Sequence, residues 1–271
     1  MLTETGTRLA VFAQKMVKAR RDALELASEV HSLEAREGEK RTLRLSLPMN
    51  LNRVTLISQI MTYEDRHPDV RVEISADSGL PALIAGKTDV SLGSYYRPDP
   101  RLFALPAGIC YSFIMATKKY ERKYGLPETI EDLKRHTILL RYTQNLGYSN
   151  KLENGTETYY IDRGHRVQHG DAAACREMLL AGEGLAIDLT PGFVSDYLAS
   201  GFVFPVLKGW HREPCHYHVY CRAGSQDDKV LRELMAYVER GVFATFANQW
   251  QFWYGKLWIP MPEGFVPQAK S

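Results

Sequence analysis

The 271-residue sequence lacks a hydrophobic run long enough to cross a membrane. Charged residues interrupt every apolar stretch before it reaches the roughly 18 residues that a membrane-spanning helix needs. The first residues also lack the basic segment and apolar core that mark a secretory signal peptide. From these absences we expect a cytoplasmic protein.

The sequence has only four cysteines, and no two of them form a C-x-x-C pair. Scattered cysteines are typical of reduced thiols in the cytoplasm. One short segment does contain several metal-capable side chains, namely His211, Cys215, His216 and His218. Because a structural zinc site needs four ligands in a closed geometry, we expect no metal.

A strong charge of either sign is also missing, since 34 basic and 32 acidic residues give a net charge of +2. That balance argues against a protein whose whole surface binds nucleic acid. Motifs of common catalytic sites are absent too, namely G-x-S-x-G, H-E-x-x-H and G-x-x-x-x-G-K-[ST]. The G-x-G at Gly182 follows a predicted helix and lacks a third glycine. We therefore expect neither an enzyme nor a bound cofactor.

Residues 1–38 contain a strict heptad pattern. Small or apolar residues recur at alternating steps of three and four: Leu9, Phe12, Met16, Ala19, Ala23, Leu26, Val30 and Leu33. A sustained period of 3.5 is typical of helices that pair with each other. We predict a linker helix that joins chains into a homodimer or tetramer. A long helix that lies on its own domain is the alternative.

From residue 42 onward, predicted strands and helices alternate. The predicted strands are residues 43–47, 70–75, 89–93, 102–105, 111–116, 137–141, 158–161, 166–168, 185–188, 202–206 and 216–221. The predicted helices are residues 50–66, 80–85, 118–124, 171–181, 191–200 and 228–240, with a further capped helix that begins at Thr129. Such alternation predicts an α/β fold with parallel strands, most simply in two similar halves.

Six segments resemble, in order and spacing, segments of the LysR-type bacterial transcriptional regulators. They are LTETG at Leu2–Gly6, TLRLSLP at Thr42–Pro48, YEDRHPDVRVEI at Tyr63–Ile74, LIAGKTDVSLG at Leu83–Gly93, GLPETIEDLKRH at Gly125–His136, and LLAGEGLAIDLTPGFVSDYLASGFVFPVL at Leu179–Leu207. The last segment has Leu185 where the family has isoleucine, and one extra residue before Pro191. No single segment is specific to this family, but the order and spacing of the six segments along the chain are specific to it.

The resemblance implies two Rossmann-like subdomains of the type 2 periplasmic-binding-protein kind, preceded by a long linker and dimerisation helix. The implied divisions are 1–38 for this helix, 42–115 with 220–240 for subdomain I, 116–219 for subdomain II, and 241–271 for a C-terminal tail. Crossover strands are expected near 111–116 and 215–221. The family binds small effectors in the cleft between subdomains to modulate transcription, so the implied ligand is a small polar metabolite.

The family also begins with a winged helix-turn-helix that binds DNA, and this sequence starts where that module would have ended. The resemblance therefore implies the effector-sensing and oligomerisation part of a regulator, with DNA contact only through the missing module. One alternative is a stand-alone cytoplasmic small-molecule-binding protein, or an enzyme, of the same two-lobed fold. Another is a partner that acts only by forming mixed oligomers.

The implied cleft would lie at the carboxyl ends of the parallel strands, where helix N-termini favour polar ligands. The predicted effector-binding residues at these strand ends are Pro48, Met49, Asn50, Ser78, Ser94, Tyr95, Tyr142, Thr143, His169 and Thr190. For each of them a helix cap or turn residue is the alternative. The prediction is strongest for Asn50 and Thr190.

Aromatic residues are concentrated after Gly241, where three of the four tryptophans lie: Trp250, Trp253 and Trp258. Such density is typical of a helix packed on the body of the protein or on a second subunit, and less often of a ligand cage.

Overall fold

The computed structural model describes residues 3, 14–16, 18, 40–76, 80–94, 99–142 and 150–259. Residues 14–16 and 18 are helical and exposed, and they include Met16 of the predicted heptad pattern. The other residues of that pattern, Leu9, Phe12, Ala19, Ala23, Leu26, Val30 and Leu33, lie outside the described residues. Residues 1–42 with 67–71 form one compact unit, in which the Arg41 N–H donates to the Asp69 carbonyl over 2.7 Å. The rest of the chain forms the second unit.

The described strands are β1 Arg41–Ser46, β2 Val70–Ser75, β3 Val90–Gly93, β4 Leu102–Cys110, β5 Met115–Thr117, β6 Thr137–Arg141, β7 Lys151–Asn154, β8 Glu157–Tyr160, β9 Arg166–Gly170, β10 Leu185–Ala186, β11 Val203–Pro205, β12 His211–Arg212 and β13 Cys215–Arg222. The described α-helices are α1 Val54–Arg66, α2 Leu80–Ile84, α3 Lys118–Tyr124, α4 Ala172–Ala181, α5 Ser195–Ala199 and α6 Lys229–Gln249. Short 3₁₀ helices occupy Ile130–Arg135, Pro191–Val194, Ser225–Asp227 and Gly255–Leu257, and a π-helical turn occupies Trp250–Tyr254. None of the helices in this part of the chain combines the length and apolar character that a membrane span requires.

The described strands form two five-stranded sheets and one three-stranded sheet. The first sheet has the order β2-β1-β3-β13-β4, with β1 parallel to β3 and β13 antiparallel to both of its neighbours. The second sheet has the order β11-β5-β10-β6-β9, with β6 parallel to both β9 and β10. The small sheet has the order β12-β7-β8. This is the α/β fold in two similar halves that the sequence predicts.

The chain passes between the two large sheets twice. It leaves the first sheet after β4 and enters the second at β5, and it returns to the first sheet at β13. These passages fall close to the crossovers expected near 111–116 and 215–221. The residue ranges of the subdomains stay a prediction.

Local signals in the sequence explain where several elements begin and end. The Asp171 side chain accepts from the Ala174 N–H over 2.8 Å at the start of α4, and Gly182 ends this helix in the left-handed conformation. At the predicted cap, the Asp132 carboxylate accepts from the Thr129 N–H over 2.8 Å. Side chains that satisfy the free N–H groups of a helix N-terminus stabilise that end. The helix after Thr129 is of the 3₁₀ type.

Apolar alternation explains the core of the second half. A cluster of buried side chains includes alternate residues of the second sheet and residues of its neighbours: Ile114, Ala116, Tyr120, Leu133, Ile138, Leu140, Leu152, Ile161, Leu185, Ile187, Val206 and Trp210. Burial of apolar area is the main favourable contribution to folding. This core holds the strands whose carboxyl ends carry the candidate site.

Helix α6 is longer than predicted, because it continues through Gly241 to Gln249. A β-carbon at Gly241 would lie 3.0 Å from Leu56 Cδ2 of α1, so the absence of a side chain lets the two helices pack closely. The expected start of the C-terminal tail, residue 241, therefore lies inside this helix. Trp250 and Tyr254, which follow it, are buried, whereas Trp258 is 72% exposed, so the predicted packing holds for only part of the aromatic residues.

The hairpin of β7 and β8 contains a strand that the sequence analysis missed. Strand β7 has a single buried apolar residue, Leu152, so it has little alternation to detect. The missed signal is Gly155, which has φ +59° at the first position of the two-residue turn between the strands. Glycine at this position is typical of two-residue hairpin turns, because such turns need positive φ there.

The helix predicted at 191–200 is two shorter pieces, a 3₁₀ helix at Pro191–Val194 followed by α5. Pro191 begins the first piece, and Gly192, which follows it, favours helix poorly.

Candidate functional site

Two of the predicted residues, Asn50 and Thr190, join the strand ends of the two large sheets. Asn50 follows β1 and Thr190 follows β10. The Thr190 N–H donates to Asn50 Oδ1 over 3.1 Å, and Thr190 Oγ1 donates to the Asn50 carbonyl over 2.6 Å. Both residues are buried, and Asn50 Nδ2 has no hydrogen-bond partner. The first bond fixes the amide so that its NH₂ group stays available as a donor.

Gln249, the last residue of α6, reaches the same place. A β-carbon at Gly192 would lie 2.8 Å from Gln249 Nε2 and 3.1 Å from the Asn52 backbone nitrogen, so a larger residue would force the chain apart. Gln249 Nε2 is also buried without a hydrogen-bond partner. We call Asn50, Thr190, Gly192 and Gln249 the amide cluster.

The residues after α6 hold the other end of the Gln249 amide. Gln249 Oε1 lies 2.9 Å from the Tyr254 hydroxyl and 3.6 Å from Cys110 Sγ. Burial raises the pKa of Cys110 to about 12 and raises the pKa of Tyr254 well above its usual value. Both groups are therefore protonated at neutral pH. In the structure Oε1 of the amide faces these two groups and Nε2 faces Gly192.

A charged group that the sequence analysis did not predict lies at the carboxyl ends of the second sheet. Arg141 is the last residue of β6, and Asp188 follows the parallel neighbour β10. Arg141 Nε donates to the Asp188 carbonyl over 2.8 Å, and Arg141 Nη2 lies 3.4 Å from Asp188 Oδ1. Arg212 of β12 approaches the same carboxylate, with Nε 3.8 Å from Oδ1. We call Arg141, Asp188 and Arg212 the arginine cluster.

The arginine cluster places two cations against one carboxylate in a region with little water. The side chains of Arg141, Asp188 and Arg212 are 10%, 15% and 9% exposed. Arg212 Nη1 is buried without a hydrogen-bond partner. Buried charges are ordinarily paired and fully hydrogen-bonded, because an uncompensated ion loses its hydration energy. Arg212 is therefore a buried charge that is not fully hydrogen-bonded.

The electrostatics of the cluster keep Arg141 charged. Burial acts to lower the pKa of Arg141, but the interactions of its charge, chiefly with the Asp188 carboxylate, outweigh burial, so this pKa lies above its ordinary value. Burial raises the pKa of Cys215, and the positive charge of Arg141 opposes that rise. The cluster is a permanently cationic site lined by neutral hydroxyl and thiol groups.

The other predicted effector-binding residues are spread over different environments. Pro48 and Ser94 are half-buried, whereas Met49, Tyr142 and His169 are exposed. Ser78, Tyr95 and Thr143 lie outside the described residues. Contact of any of these residues with a ligand stays a prediction.

Four polar residues of the site escaped the sequence analysis: Arg141, Asp188, Arg212 and Gln249. A signal existed for the first two, because each follows the apolar residues of a buried strand, in TILLR and LAID respectively. A charged residue at the carboxyl end of a parallel strand lies where α/β proteins bind ligands. Arg212 and Gln249 have no comparable local signal, because chain segments distant in sequence bring them to the site.

Three solved structures of LysR-type regulators or their regulatory domains are similar to this chain. The structure of CrgA from Neisseria meningitidis matches with a TM-score of 0.62 at 21% identity, covering 89% of this chain and 80% of that one. Full-length AphB of Vibrio cholerae matches with a TM-score of 0.62 at 21% identity, with the same coverage of 89% and 80%. The regulatory domain of AphB from Vibrio vulnificus matches with a TM-score of 0.58 at 20% identity, covering 74% and 98%. The fold is therefore the two-lobed, periplasmic-binding-protein-like fold of LysR regulatory domains.

Comparison at the level of sequence confirms the family. Residues 36–242 match the model of the LysR substrate binding domain, and the chain belongs to this family. An HTH-type transcriptional regulator of Xanthomonas campestris pv. campestris is 27% identical over 216 residues, which are 77% of this chain and 60% of that protein. The probable HTH-type transcriptional regulator LtrA of Klebsiella pneumoniae is 27% identical over 212 residues, covering 77% and 66%.

The chain thus spans less than two thirds of the length of these two relatives. Both are named as transcriptional regulators and neither as an enzyme. This agrees with the absence of catalytic motifs in the sequence and does not favour the alternative of an enzyme.

Proposed function

We propose that this chain is the effector-sensing part of a LysR-type transcriptional regulator and that it binds a small polar metabolite between its two large sheets. One observation carries the proposal: the hydrogen bonds between Asn50 and Thr190 join the carboxyl ends of β1 and β10. Ligands of α/β proteins bind at these strand ends. A compound bound beside this contact would touch both sheets at once.

Binding at such a junction can modulate transcription through a shift of populations. A ligand changes an equilibrium between two arrangements only if it binds one of them more tightly. The unpartnered donors Asn50 Nδ2 and Gln249 Nε2 offer that difference, because each belongs to a different element and a ligand that bridges them favours the arrangement in which they are close. Hinge closure around a ligand is a common form of this change.

Thermal-shift measurements against a panel of metabolites test the site. A compound that binds only the folded state raises the unfolding midpoint. The shift should be lost in Asn50→Ala and in Thr190→Ala and kept in Thr158→Ala, a matched control at an exposed position of β8. Unfolding midpoints without ligand show whether each variant is folded. A shift that persists in both site variants would move the ligand elsewhere.

We further propose that chains associate as a homodimer or tetramer through the heptad pattern of residues 1–38. The support is the 3.5-residue period of that pattern. Charges at two seam positions, Phe12→Asp with Leu26→Asp, should give monomers in size-exclusion chromatography, because buried charges oppose helix pairing. Lys18→Glu, outside the seam, is the control. An unchanged oligomer in the double variant would refute this assignment.

DNA contact of the whole regulator is proposed to occur through a winged helix-turn-helix, as the names of the HTH-type relatives suggest. This chain alone should then give no sequence-specific gel shift at low salt. Sequence-specific retardation by the chain would contradict that proposal. A cytoplasmic location stays a prediction.

A further inference from the structure

The unpartnered buried groups of the site point to the chemical class of its ligand. We propose that the metabolite carries a carboxylate, which the arginine cluster receives, and a second hydrogen-bond acceptor, which the amide cluster receives. This inference rests on the proposed effector site and specifies what the site selects.

The unpartnered polar atoms of the two clusters are all hydrogen-bond donors. Asn50 Nδ2, Gln249 Nε2 and Arg212 Nη1 are buried without partners. Amide NH₂ and guanidinium groups can donate but cannot accept. An unsatisfied buried donor costs free energy until an acceptor arrives. The complementary ligand therefore presents acceptors at both clusters.

The arginine cluster carries a net positive charge, because two arginines face one aspartate. Asp188 already receives hydrogen bonds from Arg141 through its carbonyl and its carboxylate, whereas Arg212 only approaches it at 3.8 Å. A cationic ligand would face two arginines, and a neutral ligand would leave the Arg212 charge uncompensated. A carboxylate matches the planar fork of donors on a guanidinium, and such charge-assisted bonds are stronger than neutral ones.

The two clusters also lie close to each other along the chain and across the first sheet. Thr190 of the amide cluster lies two residues beyond Asp188 of the arginine cluster, and two extended residues span about 7 Å. A second connection runs through Cys110, which contacts Gln249 and lies opposite Cys215 in the pairing of β4 with β13. The pKa of Cys215 responds in turn to Arg141, Asp188 and Arg212. The backbone separation of the two clusters is therefore comparable to the length of a metabolite of a few carbon atoms.

Matched pairs of acids and amides test the inference directly. The probes are carboxylic acids of three to six carbons that carry a second polar group, each compared with its primary amide by thermal shift and isothermal calorimetry. Neutral sugars and diamines form the remaining arms of the panel. We expect an acid to bind and its amide to bind at least tenfold more weakly. Loss of a hydrogen bond to a charged group corresponds to a factor of about 10 to 100 in affinity.

The variants assign the effect to the cluster. Arg212→Gln should weaken binding of the acid roughly 10-fold to 100-fold. Arg163→Gln removes an exposed cation of the same half and should leave binding unchanged. Equal binding of acid and amide, or unchanged binding of the acid by Arg212→Gln, would overturn the inference. Binding of a sugar or diamine in place of the acids would also overturn it, while leaving the effector site itself supported if Asn50→Ala abolishes that binding.

A second variant keeps the inference testable if Arg212→Gln does not fold. Gln249→Glu replaces an unpartnered donor by a group that repels a carboxylate, so it should weaken binding of the acid at least tenfold. Gln251→Glu makes the same change at an exposed position two residues further on and serves as the control. Equal effects of the two changes would contradict the role of Gln249. If no arm of the panel binds the wild-type protein, both the effector site and its carboxylate preference fail.

Discussion

Each half of the structure contains an arginine–aspartate pair beside its parallel strands, and the two pairs differ in how completely they are satisfied. In the first half, Arg44 of β1 meets Asp89 at the amino end of β3. Arg44 Nε and Nη2 each donate to a different oxygen of the Asp89 carboxylate over 3.0 Å, and the Arg44 N–H adds a third bond of 2.9 Å. The Arg44 side chain is 44% exposed, so water reaches the rest of its guanidinium.

In the second half, Arg141 and Asp188 lie at the carboxyl ends of β6 and β10, and both are largely buried. Their geometry is looser, with Nη2 3.4 Å from Oδ1, and the neighbouring Arg212 retains an unpartnered nitrogen. The same two residue types therefore differ in how fully they are paired. The complete pair lies at the amino end of β3, whereas the incomplete pair lies at the carboxyl ends of β6 and β10, where we propose that a ligand binds.

The largest expected effect comes from removal of the carboxylate of the incomplete pair. Asp188→Asn would leave two buried cations without a counter-charge, and breaking a buried ion pair in this way costs about 3–5 kcal/mol. Urea unfolding measures the change in the free energy of unfolding. A loss below about 1 kcal/mol, the range of exposed ion pairs, would show that water compensates the arginines and that the cluster is less buried than its contacts indicate.

Removal of the carboxylate charge of the complete pair should lower the free energy of unfolding by a smaller amount. Asp89→Asn removes the charge that Arg44 and Arg222 share, but the exposed Arg44 can recover hydration. We expect a loss of about 1–2 kcal/mol, which reflects weakened hydrogen bonds at a half-exposed site. Urea unfolding in the same buffer gives a direct comparison with Asp188→Asn. Equal losses for the two variants would remove the distinction between the pairs.

The pH dependence of the free energy of unfolding tests the burial of His211 in the second half. Burial lowers the pKa of His211, which precedes Arg212 in β12, below its ordinary value of 6.5, although the Arg212 carbonyl and Glu153 oppose this effect. The unfolded chain therefore binds a proton more readily than the folded chain. Stability should be fully present above about pH 6.5 and should fall as the pH decreases below that value. Unfolding at pH 5 and pH 7.5 measures the decline, which His211→Asn should make shallower; an unchanged decline would contradict this cause.

The smallest effect is expected for Arg212 in the absence of ligand. Arg212→Met removes an incompletely compensated buried cation while Arg141 still pairs with Asp188. Apolar replacement of a buried charge is often neutral or stabilising, so the free energy of unfolding should change by less than about 1 kcal/mol. Thermal and urea unfolding of the ligand-free variant provide the measurement. A large loss would mean that Arg212 is already satisfied and would weaken the contrast with Arg44.

Much of the fold could be predicted from the sequence because the signals are local. The bounds of β2, α3 and β6 are the predicted ones, since period-two alternation, Thr117 as a cap and the proline before Val70 act over a few residues. Strand β7 escaped because it has one buried apolar side chain. Helix α6 was predicted too short, since Gly241 marks an end in sequence but a close helix contact in the structure.

The candidate site was predicted only in part. Asn50 and Thr190 were expected at strand ends, and the structure joins them by hydrogen bonds. Arg212 and Gln249 could not have been expected, because their positions depend on the return of the chain at β12 and on the length of α6. Charged and amide residues are ordinarily solvent-exposed, so nothing local distinguishes one that becomes buried.

The sequence by itself determined the alternation of strands and helices, the division into two similar halves and the family, because hydrophobic periodicity and capping residues act through local geometry. Only the tertiary structure decided which polar groups meet. Arg141, Asp188 and Arg212 come from separate elements and converge because β6 and β10 pair in parallel and β12 joins the small sheet. Whether a buried charge is compensated depends on these long-range neighbours, and that property is what distinguishes a ligand site from a structural ion pair.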